Sequence, residues 1–330
     1  MRALVTGATG FVGSALCDSL VQSGHHVVAI SRTQWSAPPE SESLSNSEHS
    51  SQYLCRQTAD FGNISSIQAH LQGCDAVIHC AARVHQVREA AANPLDEYRR
   101  VNTQATLALA QAAAQAGVKR YIFLSSVKVN GEFTQPHVPF IASQARPLDP
   151  YGISKWEAEQ GLQEIAAKSG LEVVIVRPPL VYGPNVKANF LTMMRWLYRG
   201  VPLPLGAIHN QRSLVALPNL LDFISLCIHH PKAANQTFLV SDQYDLSTSE
   251  LLRYLGEALH RPARLLPVPQ SILELALKSL GKSSMVQRLC GDLTVDSSPA
   301  TQLLGWKPPV TVQQGLRLTA ADFLASKAAR

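Results

Sequence analysis

The stretch TGATGFVG, residues 6–13, decides the reading of this chain. Its glycines at 7, 10 and 13 follow the apolar run RALVT and precede FVGSALCDSL, where apolar residues return at helical spacing. A strand, a tight turn and a helix are expected in that order. Gly7 suits the turn, Gly10 lets a ligand approach the backbone, and Gly13 lets the helix lie close to the strand. The start of such a helix offers unpaired amides and positive potential, which suits a pyrophosphate. Gly7, Thr9, Gly10, Phe11, Val12 and Gly13 are therefore the expected cradle of a dinucleotide.

Working outward, strands are expected at HVVAIS (26–31), DAVIHCAA (75–82), KRYIFLSS (119–126) and LEVVIVRP (171–178), with helices at 11–24, 93–117 and 150–170. The continuous apolar strands suit a sheet covered on both faces. Repeating strand–helix units call for an α/β fold with a doubly wound parallel sheet. After Pro184 the alternation stops, although TFLVSD (237–242) again reads as a sheet strand. Two lobes are expected: residues 1–184 plus about 213–243 bind the dinucleotide, and about 185–212 plus 244–330 form a smaller mixed α/β substrate lobe. The Ser- and Glu-rich segment 36–52 reads as a surface loop.

The chain has 330 residues, 46% hydrophobic and 16% charged, as in ordinary globular proteins. A net charge of +5 without a dense basic run gives no reason to expect nucleic acid. No apolar run reaches the length of a membrane span, and the amphipathic segment 270–280 is expected to pack on the protein's own core, with contact to a membrane surface the less favoured alternative. The six cysteines, at 17, 55, 74, 80, 227 and 290, form no C-x-x-C pair, so reduced thiols and no metal site are expected. The chain opens directly into a strand, which fits a cytoplasmic protein without a signal peptide.

The second strand ends without an acid. NAD-binding sheets usually hold the ribose hydroxyls with Asp or Glu there; this chain has Ser31 and Arg32. A carboxylate facing a 2′-phosphate would be repelled by about 4 kcal/mol per unit charge at roughly 4 Å. Arg32 could instead donate charge-assisted hydrogen bonds to such a phosphate, so NADP(H) is favoured, with NAD(H) the alternative.

Tyr151-Gly-Ile-Ser-Lys155 places Tyr and Lys on one helix face. A free tyrosine has a pKa near 10, so acid–base work at neutral pH needs a nearby positive charge. Lys155, together with an oxidised nicotinamide, can supply it, and Ser126 ends the preceding strand at the carboxyl edge of the sheet, where such folds bind ligands.

These motifs, with the AA of VIHCAA, VNTQAT, FLSS and VRPPLVYGP, occur in the order found in extended short-chain dehydrogenases/reductases. The chain resembles that NAD-dependent epimerase/dehydratase group from end to end, since GDLTVDSSPATQLLGWKPPVTVQQGL (291–316) also looks like its C-terminal segment. The resemblance implies a Rossmann sheet. It makes Tyr151 the acid/base, Lys155 its modulator and a ribose ligand, Ser126 a partner of the sugar oxygen, and Asn102 a support of the site. Asp60 and Phe61 would lie at the adenine, Ala81 and Ala82 along the cofactor, and Arg177 and Pro178 would begin the stretch passing the nicotinamide. Val84 and His85 would lie near the sugar, and Asn189, Arg212 and Arg288 at the nucleotide diphosphate of a UDP-sugar. It also implies a homodimer built from the helices at 93–117 and 150–170.

The reaction is less constrained. Val127-Lys128 stands where the group's dehydratases carry Asp-Glu, which argues against 4,6-dehydration. Asn130 replaces the usual Tyr of its epimerases, and Asn219 replaces an Asp. Ser31-Arg32 and the resemblance to a UDP-glucose 4-epimerase-like subgroup point to NADPH-dependent 4-ketoreduction of a UDP-4-keto-6-deoxy-N-acetylhexosamine in surface polysaccharide synthesis. A 4-epimerase with tightly held NAD is the alternative, and an inactive NADP-binding sensor or scaffold a remote one.

Overall fold

A computed structural model describes residues 1–32, 53–59, 64–84, 93–281 and 283–328. The loop expected at 36–52 lies outside them. The chain forms two compact units, one made of Met1–Asn130, Ala145–Arg177 and Phe223–Phe238, the other of Gly131–Gln144, Pro178–Asp222 and Leu239–Arg330. Residues 131–144, 178–184, 213–222 and 239–243, grouped with the sheet in the sequence reading, cluster with the second unit.

The first unit is built on β1 (Arg2–Thr6), β2 (His26–Ser31), β3 (Leu54–Thr58), β4 (Ala76–His79), β5 (Arg120–Leu124) and β6 (Glu172–Arg177). Its helices are α1 (Phe11–Gln22), α2 (Ser65–Leu71), α3 (Pro94–Tyr98), α4 (Ala105–Gln115) and α5 (Pro150–Ser169). The strand order is β3-β2-β1-β4-β5-β6, with Thr237–Leu239 as the seventh strand beyond β6. The pairs from β3 to β6 are all parallel. Chain direction reverses across the sheet between β1 and β4, which opens a crevice at their carboxyl ends. The strands read as apolar runs because both faces are covered: Leu4, Val5, Ile30, Val77, Ile78, Ile122 and Val174 are at most 1% exposed.

Local signals set the helix ends. Asp149 caps α5 by accepting the Gly152 amide at 2.6 Å, Pro150 takes the first turn, and Gly170 stops the helix at φ 74°. The helix expected over 93–117 is interrupted. Between α3 and α4 the backbone widens into a π-helical segment, Arg99–Gln104, which contains Asn102.

In the second unit, β7 (Leu180–Tyr182) and β8 (Leu214–Ala216) pair in parallel. Around them stand α6 (Ala188–Tyr198), α7 (Leu217–His229, running into the first unit), α8 (Thr248–Ala258), α9 (Gln270–Ser279), α10 (Ser283–Cys290), α11 (Ser298–Leu304) and α12 (Val312–Ala328). Asn219 now has a physical account. Its Nδ2 donates to Asp242 Oδ1 at 2.7 Å and to the Val310 carbonyl at 2.8 Å, while its Oδ1 accepts the Val310 amide at 2.9 Å. An Asp could not donate to Val310 and would set a second carboxylate against buried Asp242.

Among the described residues no helix is long and apolar enough to cross a membrane. The six cysteines are free thiols, and burial pushes those of Cys17, Cys74, Cys80, Cys227 and Cys290 up, so they are weak nucleophiles.

Candidate active site

The glycine turn sits at the sheet's reversal point. Gly7 adopts φ 67°, and a Cβ there would meet the Ala81 nitrogen at 2.7 Å. A Cβ on Gly13 would run into the Gly7 carbonyl oxygen, so α1 lies directly on the turn. Gly10 precedes the helix with its amide on the Gly7 oxygen at 2.8 Å, and the first intrahelical bond runs from Ser14 to Gly10 at 3.0 Å. The amides of Phe11, Val12 and Gly13 therefore open the helix without an i−4 acceptor, the donor set a pyrophosphate fits. Thr9 Oγ1 and Ser31 Oγ meet at 3.2 Å, and Arg32 is exposed just beyond β2. This cradle fits a dinucleotide. Replacing Gly13 with Ala would force α1 off the turn. Affinity for the dinucleotide, measured by fluorescence titration, is expected to fall at least about tenfold, as an equivalent of 1.4 kcal/mol.

Three consecutive residues at the end of β5 are held by three residues one turn apart on α5. The Ser126 hydroxyl faces that of Tyr151 and lowers its pKa. The Leu124 carbonyl accepts Lys155 Nζ at 2.8 Å. Ser125 donates to Glu159, a side chain with no exposure. Lys155 Nζ also lies 4.2 Å from the centre of the Phe123 ring. Spacing of four residues puts Tyr151, Lys155 and Glu159 in one row, and the strand end runs alongside it.

Burial sets the charges. The Tyr151 hydroxyl is pushed up to about 12 by desolvation, against the hydrogen bond from Ser126 that lowers it. Lys155 is pulled down to about 8 by desolvation, with Glu159 acting in the opposite direction. The ammonium is aimed at the Leu124 carbonyl and the Phe123 ring.

Asn102 is fully buried. Its Oδ1 accepts the Arg83 amide at 2.8 Å, and its Nδ2 donates to the Arg83 carbonyl and to Ser154 Oγ, each at 3.0 Å. It ties the loop after β4 to the helix that carries Tyr151. Ala81 and Ala82 are half-buried on that loop, and Val84 is 62% exposed. His85, Asp60 and Phe61 lie outside the described residues.

Arg177, at the end of β6, faces the interior. It is 1% exposed, its Nε and Nη2 engage Glu159, and its Nη1 donates to Asn130 Oδ1 at 3.1 Å. Asn130, in place of a tyrosine, serves this interior ion pair. Pro178, next in the chain, is buried.

In the second unit Arg212 and Arg288 are neighbours. Arg212 Nη1 donates to the Gly291 carbonyl at 3.0 Å and the Arg288 carbonyl at 3.4 Å, and burial pulls its guanidinium down from the usual arginine value. The Arg288 side chain is exposed, as is Asn189 in the first turn of α6.

Sequence reasoning missed Ser125, Glu159 and His79. Glu159 carried a signal, since it continues the Tyr151–Lys155 row by one more turn. His79 carried less, as one polar residue in an apolar strand. It joins a chain of bonds: Ala81 N–H to Thr6 Oγ1 at 3.2 Å, Thr6 to His79 Nδ1 at 2.7 Å, His79 Nε2 to Thr106 at 2.9 Å, and Thr106 to the Asn102 carbonyl at 2.7 Å. Thr106 donates to a carbonyl, so it accepts from His79; Nε2 carries the proton and Nδ1 accepts from Thr6. A protonated ring would leave Thr6 facing a second donor. Burial, then Lys155, pulls His79 down to about 3 from 6.5. Between those values the unfolded chain binds a proton that the folded chain does not, so stability falls as pH falls through that window. Urea midpoints at pH 7 and about 4.5 should show a smaller acid loss in His79→Gln than in the wild type.

Comparisons agree with this geometry. The profile of the NAD dependent epimerase/dehydratase family matches residues 3–241. A UDP-glucose 4-epimerase of Vibrio cholerae is 46% identical over 323 residues, covering 97% of this chain and 95% of the relative. An N-acetyl-alpha-D-glucosaminyl-diphospho-ditrans,octacis-undecaprenol 4-epimerase of Escherichia coli O157:H7 is 27% identical, covering 98% and 96%. The crystal structure of UDP-glucuronic acid 4-epimerase from Bacillus cereus in complex with NAD superposes with a TM-score of 0.75 at 19% identity, covering 99% of each chain. With the glycine cradle at the sheet's reversal point and the Ser126–Tyr151–Lys155 row beside it, the chain belongs to the NAD dependent epimerase/dehydratase family.

Proposed function

We propose that the protein is a dinucleotide-dependent 4-epimerase of a UDP-sugar. The observation that carries the reading is the Tyr151 hydroxyl set beside Ser126, one helical turn from the Lys155 ammonium. The 46% identity to the Vibrio cholerae UDP-glucose 4-epimerase supports epimerisation over net reduction. NAD(P) would rest on the Gly7–Gly13 turn and the first amides of α1, and when bound it accepts and returns a hydride.

Tyr151 would take the proton of the sugar C4 hydroxyl as the C4 carbonyl forms, and return it to the oxygen as the hydroxyl re-forms with the opposite configuration. Ser126 donates to the same oxygen and polarises the carbonyl. Lys155 keeps a positive charge near the phenolate at neutral pH, since burial brings it only to about 8. Asn102 fixes the backbone of residue 83 against α5. Asn189, Arg212 and Arg288 hold the nucleotide diphosphate, with the Arg212 fork oriented by the carbonyls it already binds.

One observation favours a second reading, NADPH-dependent 4-ketoreduction of a UDP-4-keto-6-deoxy-N-acetylhexosamine. Ser31-Arg32 offers no carboxylate to a ribose and an exposed guanidinium to a 2′-phosphate. The experiment is to denature the purified protein, identify any released nucleotide, and assay UDP-glucose/UDP-galactose and N-acetylhexosamine interconversion. An epimerase must return hydride to the same sugar, so tightly held NAD with interconversion supports the first reading. Empty protein that prefers NADPH and consumes the 4-keto sugar replaces it with the second.

A further inference from the structure

The charge of this chain is unevenly spread. Residues 187–213 carry Lys187, Arg195, Arg199 and Arg212 and no acidic residue. Residues 261–280 carry Arg261, Arg264 and Lys278 against one acid, Glu274, which lies 3.6 Å from Lys278. The second unit joins these two segments. Leu203 pairs with the backbone on both sides of Leu265, its N–H on the Arg264 carbonyl at 2.9 Å and its carbonyl accepting the Leu266 N–H at 2.8 Å. The Arg261 guanidinium stacks 5.7 Å from the Tyr198 ring.

The same segments expose apolar side chains. Of the sixteen large apolar side chains exposed among the described residues, six lie within them: Trp196, Val201, Leu266, Ile272, Leu275 and Leu280. Helix α9 buries Leu273 and turns its other face outward, with Ile272 57% and Leu275 71% exposed and Leu280 67% exposed just past its end. Ile272, Leu275 and Ser279 stand at helical spacing on that outward face. The sequence reading had this helix packing on the core, but only Leu273 of α9 is buried.

We propose that this surface docks the protein on an anionic lipid membrane. An exposed aliphatic helix face, with an exposed tryptophan and exposed Arg195, Arg199, Arg261 and Arg264 on the segments joined to it, is the chemistry of an interfacial surface, whose apolar side chains enter the headgroup boundary while its cations meet lipid phosphates. Trp196 beside Arg195 and Arg199, with the aliphatic face of α9, matches a headgroup boundary, which takes up apolar and cationic side chains together. The attachment is peripheral and reversible, because a ten-residue helix is far too short to span. The proposal does not depend on which sugar reaction the protein performs.

The test is sedimentation of the full chain with vesicles, either pure phosphatidylcholine or with about one-third phosphatidylglycerol. The protein is expected to pellet with the anionic vesicles at low salt, to be released as salt rises, and to stay in solution with the neutral ones. Ile272→Glu with Leu275→Glu should lower the partition about tenfold or more, and Arg195→Gln with Arg199→Gln should lower it without touching the apolar face. Circular dichroism and dinucleotide affinity of both variants should match the wild type, which separates a docking defect from misfolding. No pelleting with anionic vesicles overturns the proposal, as does equal pelleting of the apolar variant. Self-association lost in the Glu variant, without vesicle binding, assigns the surface to a second copy instead.

Discussion

Tyr151→Phe is expected to lower turnover by roughly 10²- to 10⁴-fold while leaving dinucleotide affinity nearly unchanged. The substitution removes one hydroxyl and keeps the ring, which packs edge-on to Tyr98 at 6.2 Å. No backbone bond depends on that hydroxyl, so the fold should hold. Its side-chain partner is Ser126, and Ser126→Ala should cost less, because the phenol can still exchange its proton. Lys155→Met should slow turnover and move the lower edge of the pH–rate profile upward, since a phenol at about 12 then has one less positive charge to help it ionise. Steady-state rates over pH 6–9, with separate titration of the dinucleotide, check all three. Full activity in Tyr151→Phe would remove Tyr151 from the chemistry.

The largest effect on stability is expected at Glu159. Its carboxylate has no exposure and is engaged by Arg177 through Nε at 3.0 Å and Nη2, and by Ser125. Glu159→Gln leaves the Arg177 charge buried without its counter-ion, at a cost of about 3–5 kcal/mol. Replacing both partners with methionine removes the unpaired charge and should recover much of that loss. Urea denaturation of the single and double variants measures the coupling; additive losses would mean that the pair does not act as a unit. Ser125→Ala keeps the ion pair and removes one bond at the strand end, so a loss of about 1 kcal/mol is expected. Because Ser125 lies between Leu124 and Ser126, that variant should also lower kcat more than it raises KM.

The glycine turn was legible because every feature it needs is local. One strand, one turn and one helix follow each other within about twenty residues, and Gly7 and Gly13 occupy places where a Cβ meets backbone. Tyr151, Lys155 and Ser126 were legible through spacing along one helix and the end of one strand. The interruption at Arg99–Gln104 was not, since VNTQAT shows no proline or glycine to announce a widened turn. Its cause lies in side chains far away in sequence, with Asn102 bonded to residues 83 and 154 and Thr103 to the Ser154 carbonyl.

The sequence by itself determined the doubly wound sheet, the dinucleotide cradle and the Tyr151–Lys155 row, because apolar periodicity, glycine placement and helix spacing act over one or two elements. Tertiary structure alone decided which polar groups are buried together. It sent Arg177 to Glu159 and Asn130, fixed the tautomer of His79 through Thr6 and Thr106, and pushed Tyr151 up by burial. It also left Ile272 and Leu275 outside the core that their helix was expected to join. The physical reason is the same in each case. Desolvation and pairing depend on what the rest of the chain brings within a few ångströms, and one-dimensional spacing carries no record of that.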